Sequence, residues 1–346
     1  MDRIAPGISL YITEMEMEMK METMFNAWDV TRYGGPEVLS PVTRPVPTPG
    51  EGQILVRVQA SAVTRADGMM RAGEPRFARL FLGLSRPRAG LAGTCFSGDV
   101  VATGPGVTRF DVGDAVFGEA GLSFGANATL ICTDAEGSLV RKPETLSHEE
   151  AAVMCDGALT SWHFLTRVAR VTPGEHVLVL GGAGSLGSAA IQLAKALGAT
   201  VSATSSARNT QLLESLGADV AIDYTVEDPV ATVGAYDVVF DTVGVRSYRD
   251  ARVALRPGGR YICPVLGLAR LRDMLLSRLT GTRRALFAAA GMEKPEVHRE
   301  ELGEILDVMA RGSFAPVMGR TYPLSDLVEA HRHVATGHKR GNVVIV

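Results

Sequence analysis

The sequence predicts an α/β protein that combines a small, partly open β-barrel with a doubly wound parallel sheet. Residues 25–142 contain short alternating strands such as QILVRVQASAV (53–63), separated by glycine and proline turns, which is typical of a barrel. From residue 176 onward, strands alternate with helices, which indicates a parallel sheet with helices on both faces. The length of 346 residues also favours two domains.

The elements follow in a clear order. Ser147 with Glu150 three residues later is a capping box and predicts a helix start. The segment HVLVLGGAGSLGSAAIQLAKALGA then predicts a strand, a glycine turn and a helix. Further strands are expected at TVSATSS, DVAIDY, YDVVFDTVG and GGRYICPVLG, with helices at NTQLLESLGA and PEVHREELGEILDVMARG. The last segment, GNVVIV, is expected to rejoin the barrel.

These elements predict the domain limits. Residues 24–154 and 293–346 form the expected barrel domain, which holds the substrate, and residues 155–292 form the expected nucleotide-binding domain. Residues 1–23, which include the Met/Glu alternation EMEMEMKME, are expected to be a disordered extension.

Composition and charge exclude several classes of function. The net charge of −3 gives no general attraction to nucleic acid. Residues 176–194 carry no charged side chain, but their dense glycines would break a lipid-exposed helix, so no membrane span is expected. The acidic N-terminus lacks a secretory cleavage site and is unlike a mitochondrial presequence, which favours a cytoplasmic location. The four cysteines contain no C-x-x-C pair, so a zinc lobe or a disulfide framework is not indicated; they are Cys95, Cys132, Cys155 and Cys263.

A glycine-rich turn predicts a phosphate site. Gly182, Gly184 and Gly187 form G-x-G-x-x-G between a predicted strand and a predicted helix. The first glycine permits the turn, the second lets the backbone approach a pyrophosphate at the helix N-terminus, and the third allows close packing. The alternative is a tight turn without a ligand.

The end of the second strand of this unit favours NADPH over NADH. A site for NAD usually places an acid there to hold the ribose 2′-hydroxyl. Here Ser205 and Ser206 occupy that place and Arg208 follows, a set that suits a 2′-phosphate. The alternative is that Arg208 is only a solvated residue at a helix start.

The chain resembles the medium-chain dehydrogenase/reductase superfamily and, within it, the zinc-independent quinone oxidoreductase branch. The resemblance runs from residue 24 to 346 and includes GPEVL, ASAVTRADGMMRAG, GVTRFDVGDAVFG, KPETLSHEEAA, VLVLGGAGSLGSAAIQLAKALGA, SLGADVAIDY, VVFDTVG and HKRGNVVIV. It implies a GroES-like barrel domain and a Rossmann domain.

The resemblance also implies that no metal takes part. Gly93-Thr94-Cys95 stands where zinc-dependent relatives have Gly-His-Glu, and residues 63–67 lack the earlier cysteine ligand. A dihydronicotinamide can still reduce a quinone, or an alkene conjugated to a carbonyl, because the acceptor is electrophilic and its oxyanion needs only hydrogen-bond donors and a solvent proton.

Carried over by motif position, the resemblance implies the following contacts. The pyrophosphate lies on the backbone of Gly184, Ser185, Leu186 and Gly187, and Tyr224 joins Ser205 and Arg208 around the 2′-phosphate. Thr160 approaches the nicotinamide, with Val243, Val265 and Leu266 along the ribose and nicotinamide and with Gly341 and Asn342 at the rim. Thr64 donates to the substrate carbonyl, and Asp67 holds the loop.

Departures from the family pattern leave alternatives open. Met69 replaces an aromatic residue near the substrate, and Asn127 falls in a second altered motif. An enoyl or alkenal reductase of a biosynthetic route, and a non-catalytic NADPH-binding redox sensor, are therefore kept as alternatives.

A basic segment follows the nucleotide-binding motifs. The segment 266–284 has five arginines and predicts an amphipathic helix over the cleft or at a subunit edge, in preference to a membrane-surface helix. The following RALFAAAG leaves open a homodimer through an edge strand of the Rossmann sheet.

Overall fold

A computed structural model describes residues 23–88, 90–265, 267–279 and 281–346. The predicted extension lies outside the described residues apart from Thr23. Within the described part, no helix is long and apolar enough to cross a lipid bilayer.

The described chain forms fifteen strands and ten α-helical segments. The strands are β1 Met24–Val30, β2 Leu39–Pro45, β3 Gln53–Ala62, β4 Cys95–Thr103, β5 Ala115–Glu119, β6 Leu130–Asp134, β7 Ser138–Arg141, β8 His176–Leu180, β9 Thr200–Ser205, β10 Val220–Asp223, β11 Tyr236–Asp241, β12 Leu255–Ile262, β13 Arg284–Leu286, β14 Met318–Tyr322 and β15 Asn342–Ile345. The helices are α1 Arg65–Ala72, α2 Arg79–Leu82, α3 His148–Ala152, α4 Leu159–His163, α5 Ser185–Ala196, α6 Thr210–Ser215, α7 Tyr248–Ala251, α8 Leu268–Leu279, α9 Pro295–Ala310 and α10 Leu327–Ala335.

The barrel is a mainly antiparallel sheet with the order β14-β15-β3-β4-β5-β7, and β6 pairs with β3. Alternating residues of β3 and its neighbours point inward, and the core contains Ile54, Val56, Phe96 and Val116, all fully buried. The final strand lies beside β3, with Val344 opposite Ala62. The prediction that the last segment rejoins the barrel is therefore confirmed.

The second sheet is parallel and has the order β10-β9-β8-β11-β12-β13. Its central strand, β8, is buried on both faces, as expected for a parallel sheet covered by helices. Val177 and Val179 of β8 pack in one core with Ile191 and Leu193 of α5, so the apolar spacing of that helix is explained by its position on the sheet. The predicted α/β class, with a barrel and a doubly wound sheet, is confirmed.

A long helical connection links the two sheets. Ser147 and Glu150 form the predicted capping box, each side chain bonding to the other's backbone N–H. After α3 the chain continues through alternating π-helical and α-helical turns from residue 154 to 168. A Cβ on Gly157 would lie 2.6 Å from the carbonyl oxygen of Ser185, so a glycine is needed where this connection crosses the start of α5.

The predicted basic helix is α8, and the following segment forms β13 at the edge of the parallel sheet. Arg270 of α8 donates to the carbonyl oxygen of Gly244 at 2.7 Å, which ties the helix to the loop after β11.

Candidate active site

A large cleft lies at the carboxyl ends of the parallel strands. It has a volume of about 1110 Å³, and its wall on the barrel side includes Arg65 and Met69 of α1. The opposite wall is formed by the glycine turn and by the loops that follow β9, β11 and β12. A crevice at this edge of a doubly wound sheet is the usual place for a dinucleotide.

At some positions of the glycine turn, the backbone conformation or the close packing allows only glycine. The left-handed residue is Gly181, with φ of +81°, so the turn itself occurs one residue earlier than predicted. A Cβ on Gly182 would press on the side chains of Ile191, Ala203 and Leu213 at 3.1–3.2 Å. Gly182 therefore serves packing and does not line the cleft.

The other two glycines differ in the space around them, and the phosphate contact predicted for Gly184 stays a prediction. A Cβ on Gly187 would lie 2.1 Å from the carbonyl oxygen of Gly181, so helix and turn touch through backbone alone. Gly184 lines the cleft and precedes α5, and the nearest atom to a Cβ there is the Gly181 oxygen at 3.6 Å. The space next to Gly184 is therefore open, and a pyrophosphate bound at a helix N-terminus requires such a space.

The end of β9 carries hydroxyls and a guanidinium and no acid. Ser205, Ser206, Arg208 and Tyr224 all line the cleft. The Ser205 hydroxyl donates to the carbonyl oxygen of Ser206 at 3.0 Å, and the Tyr224 N–H donates to the Ser205 carbonyl at 3.1 Å. Arg208 is exposed, and the described residues place no carboxylate within ion-pair distance of it.

A buried carboxylate shapes the next loop. Asp241, at the end of β11, is fully buried and accepts hydrogen bonds from the backbone N–H groups of Val243, Gly244, Val245 and Arg246 at 2.7–3.2 Å. These bonds fix the loop that presents Val243 to the cleft. Val265 also lines the cleft, whereas the predicted contact Leu266 lies outside the described residues.

Beside the glycine turn lies a hydrogen-bonded set of polar side chains, of which the sequence analysis named Ser185 and missed Lys339 and Asp156. The Lys339 ammonium donates to the Ser185 hydroxyl at 3.0 Å and to the Gly341 carbonyl at 3.1 Å. The Ser185 hydroxyl in turn donates to Oδ2 of Asp156 at 2.8 Å. Burial lowers the pKa of Lys339, and the charge of Asp156 opposes that shift. The predicted contacts Thr160 and Leu186 line the same part of the cleft.

Two other predicted contacts lie behind the turn. Gly341 forms a parallel bridge with Gly184, and its N–H donates to the carbonyl of Ala183 at 2.8 Å. The Asn342 side chain donates to the carbonyl of Val317 at 3.0 Å. Both residues are buried and outside the cleft lining, and Gly341 supports the glycine turn through its bond to Ala183. The sequence signal for Lys339 was the basic run HKR, which directly precedes Gly341 and Asn342.

Thr64 caps the first helix of the barrel side. Its hydroxyl accepts from the Asp67 N–H at 3.0 Å, and Asp67 Oδ2 accepts from the Thr64 N–H at 2.8 Å. Thr64 is buried and does not line the cleft, and its catalytic role stays a prediction. The predicted loop-holding role of Asp67 agrees with this capping box.

The region in which related enzymes bind zinc holds hydroxyls and buried acids. The Thr94 hydroxyl donates to Oδ1 of Asp67 at 3.2 Å, and burial raises the pKa of Asp67 to about 6. Burial, with the charges of Asp67 and Asp156, raises the pKa of Glu119 to about 8, and burial also raises the pKa of the Cys95 thiol. Among the described residues, no three His, Cys, Asp or Glu side chains are grouped to hold a metal ion.

The glycine turn lies at a helix start and at the carboxyl edge of a parallel sheet, and it faces a β-barrel. This arrangement defines a two-domain nucleotide-dependent dehydrogenase or reductase. Comparisons with known proteins agree. Residues 50–163 match the family model "Alcohol dehydrogenase GroES-like domain", and residues 216–345 match "Zinc-binding dehydrogenase".

Individual relatives cover nearly the whole chain. The 2-methylene-furan-3-one reductase of Solanum lycopersicum is 30% identical, over 99% of this chain and 84% of its own. The quinone oxidoreductase of Coxiella burnetii has a solved structure with a TM-score of 0.82 and 31% identity, covering 93% of this chain and 99% of its own. The NADPH-complexed quinone oxidoreductase of Escherichia coli has a TM-score of 0.81 and 25% identity, with 93% and 99% covered. The chain belongs to the medium-chain dehydrogenase/reductase superfamily, in its zinc-independent quinone oxidoreductase-like branch.

Proposed function

We propose that the protein is an NADPH-dependent oxidoreductase that reduces a small quinone or an alkene conjugated to a carbonyl. The observation that carries this proposal is the cleft itself. Its glycine turn is open at Gly184, and the end of β9 offers Ser205, Ser206 and Arg208 without an acid. The names of relatives support it: NADPH-dependent alkenal/one oxidoreductase of Arabidopsis thaliana is 30% identical over 92% of this chain and 78% of its own.

The residues present fit NADPH. When bound, NADPH supplies a hydride to an electrophilic acceptor. The backbone N–H groups at the start of α5, from Ser185 to Gly187, bind the pyrophosphate, because the helix N-terminus carries a partial positive charge. Ser205, Ser206 and Arg208 bind the 2′-phosphate, with Tyr224 beside them.

At the other end of the cleft, the chain orients the reacting groups. Thr160, Val243 and Val265 line the part of the cleft assigned to the ribose and nicotinamide. Thr64 is proposed to donate to the substrate carbonyl. Gly341 holds the glycine turn from behind, and Asn342 fixes the neighbouring chain at Val317. No side chain has to abstract a proton from the substrate, because both acceptor classes gain protons.

The domain limits belong to the same proposal. We assign residues 24–154 and 293–346 to the substrate domain and residues 155–292 to the NADPH-binding domain. A homodimer through β13 is proposed because this strand lies at the sheet edge, where a second copy can pair. The cytoplasmic location stays a prediction.

One panel of assays tests the function. NADPH oxidation is followed spectroscopically with benzoquinones, enones, enals and enoyl thioesters, and NADPH binding is titrated by its fluorescence. We expect micromolar NADPH binding and turnover of at least one acceptor class. Turnover of enals or enoyl thioesters alone would identify the biosynthetic alkenal or enoyl reductase. NADPH binding without any turnover would identify the redox sensor and overturn the proposed activity.

A further inference from the structure

A second, smaller chamber lies on the other side of helix α1 from the NADPH cleft. Its volume is about 140 Å³ and its lining is mainly apolar, with Met70, Phe81, Leu91 and Phe124 among its walls. At its rim, Phe81 and Leu122 are 63% and 54% exposed. The volume is close to that of an engineered protein cavity of about 150 Å³ that binds benzene, so the chamber has room for one six-membered ring.

The chamber and the NADPH cleft share two polar residues in their walls. Arg71 of α1 and His331 of α10 line both spaces, and each is less than 9% exposed. No carboxylate lies within ion-pair distance of the Arg71 guanidinium in the part of the chain that the structure describes. A molecule in the chamber would therefore touch the same side chains that face the cofactor cleft.

The protonation state of His331 follows from the one hydrogen bond that its ring makes to a described residue. Its Nδ1 lies 2.7 Å from Nη1 of Arg71. A guanidinium cannot accept a hydrogen bond, so Arg71 donates and Nδ1 carries no proton. Burial, followed by the charge of Arg71, lowers the pKa of His331 to about 3, so the ring is neutral near neutral pH. The one ring proton is therefore on Nε2.

This N–H group lacks a partner. His331 is 2% exposed, and Nε2 has no hydrogen-bond partner within the described protein. A buried donor without an acceptor is rare in native proteins, because the lost hydration is not replaced. The described residues thus supply no acceptor for this N–H group, and we look for it in a molecule bound in the chamber.

We propose that the chamber binds the ring or short apolar end of the substrate, with a carbonyl oxygen of that substrate accepting the hydrogen of His331 Nε2. This inference rests on the proposed reductase function, because it names the substrate class of that site. The apolar walls suit a carbon ring, and the adjacent Arg71 charge suits an oxygen that gains negative charge on reduction. A cyclic enone or a quinone meets both demands.

Cyclohexanone and benzene are the test probes, because each offers a six-membered ring and only the first has an oxygen. Their Kd values are measured by ligand-observed NMR on the full chain with saturating NADP⁺, so that no reduction occurs. We compare the parent protein with His331→Phe, which keeps a ring and removes the N–H, and with Met70→Trp, which fills the chamber. His333→Phe, on the same helix but outside the chamber lining, is the matched control.

We expect His331→Phe to raise the Kd of cyclohexanone by about tenfold and that of benzene by less than about twofold. Met70→Trp should raise both Kd values by about tenfold or more, and His333→Phe should change neither. The KM for 2-cyclohexenone should follow the cyclohexanone Kd, while the Kd of NADPH stays within about twofold.

Two results would overturn the inference. An unchanged cyclohexanone Kd in Met70→Trp would show that the ring binds elsewhere. Weakening in Met70→Trp without a selective effect of His331→Phe would show that Nε2 holds only a water molecule. If His331→Phe fails to fold, His331→Leu, which also removes the N–H donor, decides the second point with the same two probes. Cyclohexanone binding in a protein that reduces no acceptor would refute the proposed function and leave the chamber assignment standing.

Discussion

The ammonium group of Lys339 donates a hydrogen bond to the hydroxyl of Ser185 at 3.0 Å, at the first residue of helix α5. A second bond, to the carbonyl of Gly341 at 3.1 Å, holds the ammonium at the same place. A positive charge therefore stands beside the N–H groups that we assign to the pyrophosphate, and it adds to the partial charge of the helix N-terminus.

Replacing this lysine should weaken cofactor binding. We expect Lys339→Met to raise the Kd of NADPH by about tenfold, because a half-buried charge contact to a phosphate is lost. Because burial lowers the pKa of Lys339, the ammonium is lost at a lower pH than that of an exposed lysine. The Kd of NADPH in the parent should therefore rise with pH below the usual lysine range, and Lys339→Met should flatten this dependence.

Fluorescence titration of NADPH across a pH series measures both effects. Lys294→Met, at the exposed start of α9, is the matched control and should behave as the parent. Equal NADPH affinity in Lys339→Met and in the parent at every pH would refute the contact.

Cofactor choice should depend on Arg208. We expect the parent to bind NADPH at least about tenfold more tightly than NADH, a difference of about 1.4 kcal/mol. Arg208→Ala should remove most of that difference by weakening NADPH binding, and it should leave NADH binding nearly unchanged because NADH has no 2′-phosphate. Paired titrations with the two cofactors measure this. Arg311→Ala, exposed at the end of α9, serves as the control, and equal affinity of the parent for both cofactors would refute the assignment.

The sequence was sufficient for the fold because the signals it uses are local. The period of apolar residues and the Ser147–Glu150 box depend only on neighbours in the chain, and both were found where expected. The spacing of the glycines located the turn to within one residue. Gly181 was missed because its left-handed φ is a property of the turn, and a motif match does not reveal which glycine adopts it.

The site residues that were missed depend on long-range contacts. Lys339 and Ser185 are 154 residues apart, and Arg71 and His331 are 260 apart. The basic run that precedes β15 reaches the glycine turn only because β15 returns to the barrel and passes beside Gly184. Gly341 and Asn342 were named from the resemblance, but burial places them behind the turn.

The carboxyl of Glu119, on a partly buried side chain, should make stability depend on pH. Burial raises its pKa from 4.5 to about 8, so the folded state holds a proton that the unfolded state releases between these values. The charged form is disfavoured in the fold, and Glu119 therefore costs stability progressively as pH rises through this window. Glu119→Gln removes that cost while keeping the side-chain size.

We expect the Tm of Glu119→Gln to equal that of the parent at about pH 4.5. At about pH 8.5, the Tm of the variant should be higher by about 3 °C or more. Circular-dichroism melts at several pH values measure the difference. Glu149→Gln, exposed on α3, should show no such trend. A constant Tm difference between Glu119→Gln and the parent across the series would show that Glu119 titrates normally.

The two glycines of the turn should respond to substitution in opposite ways. Gly184 has an extended backbone, with φ of −79° and ψ of 179°, and no protein atom lies within 3.5 Å of a Cβ built there. Gly184→Val should therefore stay folded, with a Tm close to that of the parent, and should lose NADPH binding because its side chain fills the space of the pyrophosphate. At Gly187, a Cβ would lie 2.1 Å from the carbonyl oxygen of Gly181, so Gly187→Ala should lower the free energy of unfolding by about 1–3 kcal/mol. An NADPH titration beside a circular-dichroism melt separates the two effects, and Gly303→Ala, in α9 with nothing within 4 Å of its Cβ, is the control for both. If Gly184→Val is folded and binds NADPH as the parent does, the turn holds no phosphate, and the assignment of this cleft to a dinucleotide fails.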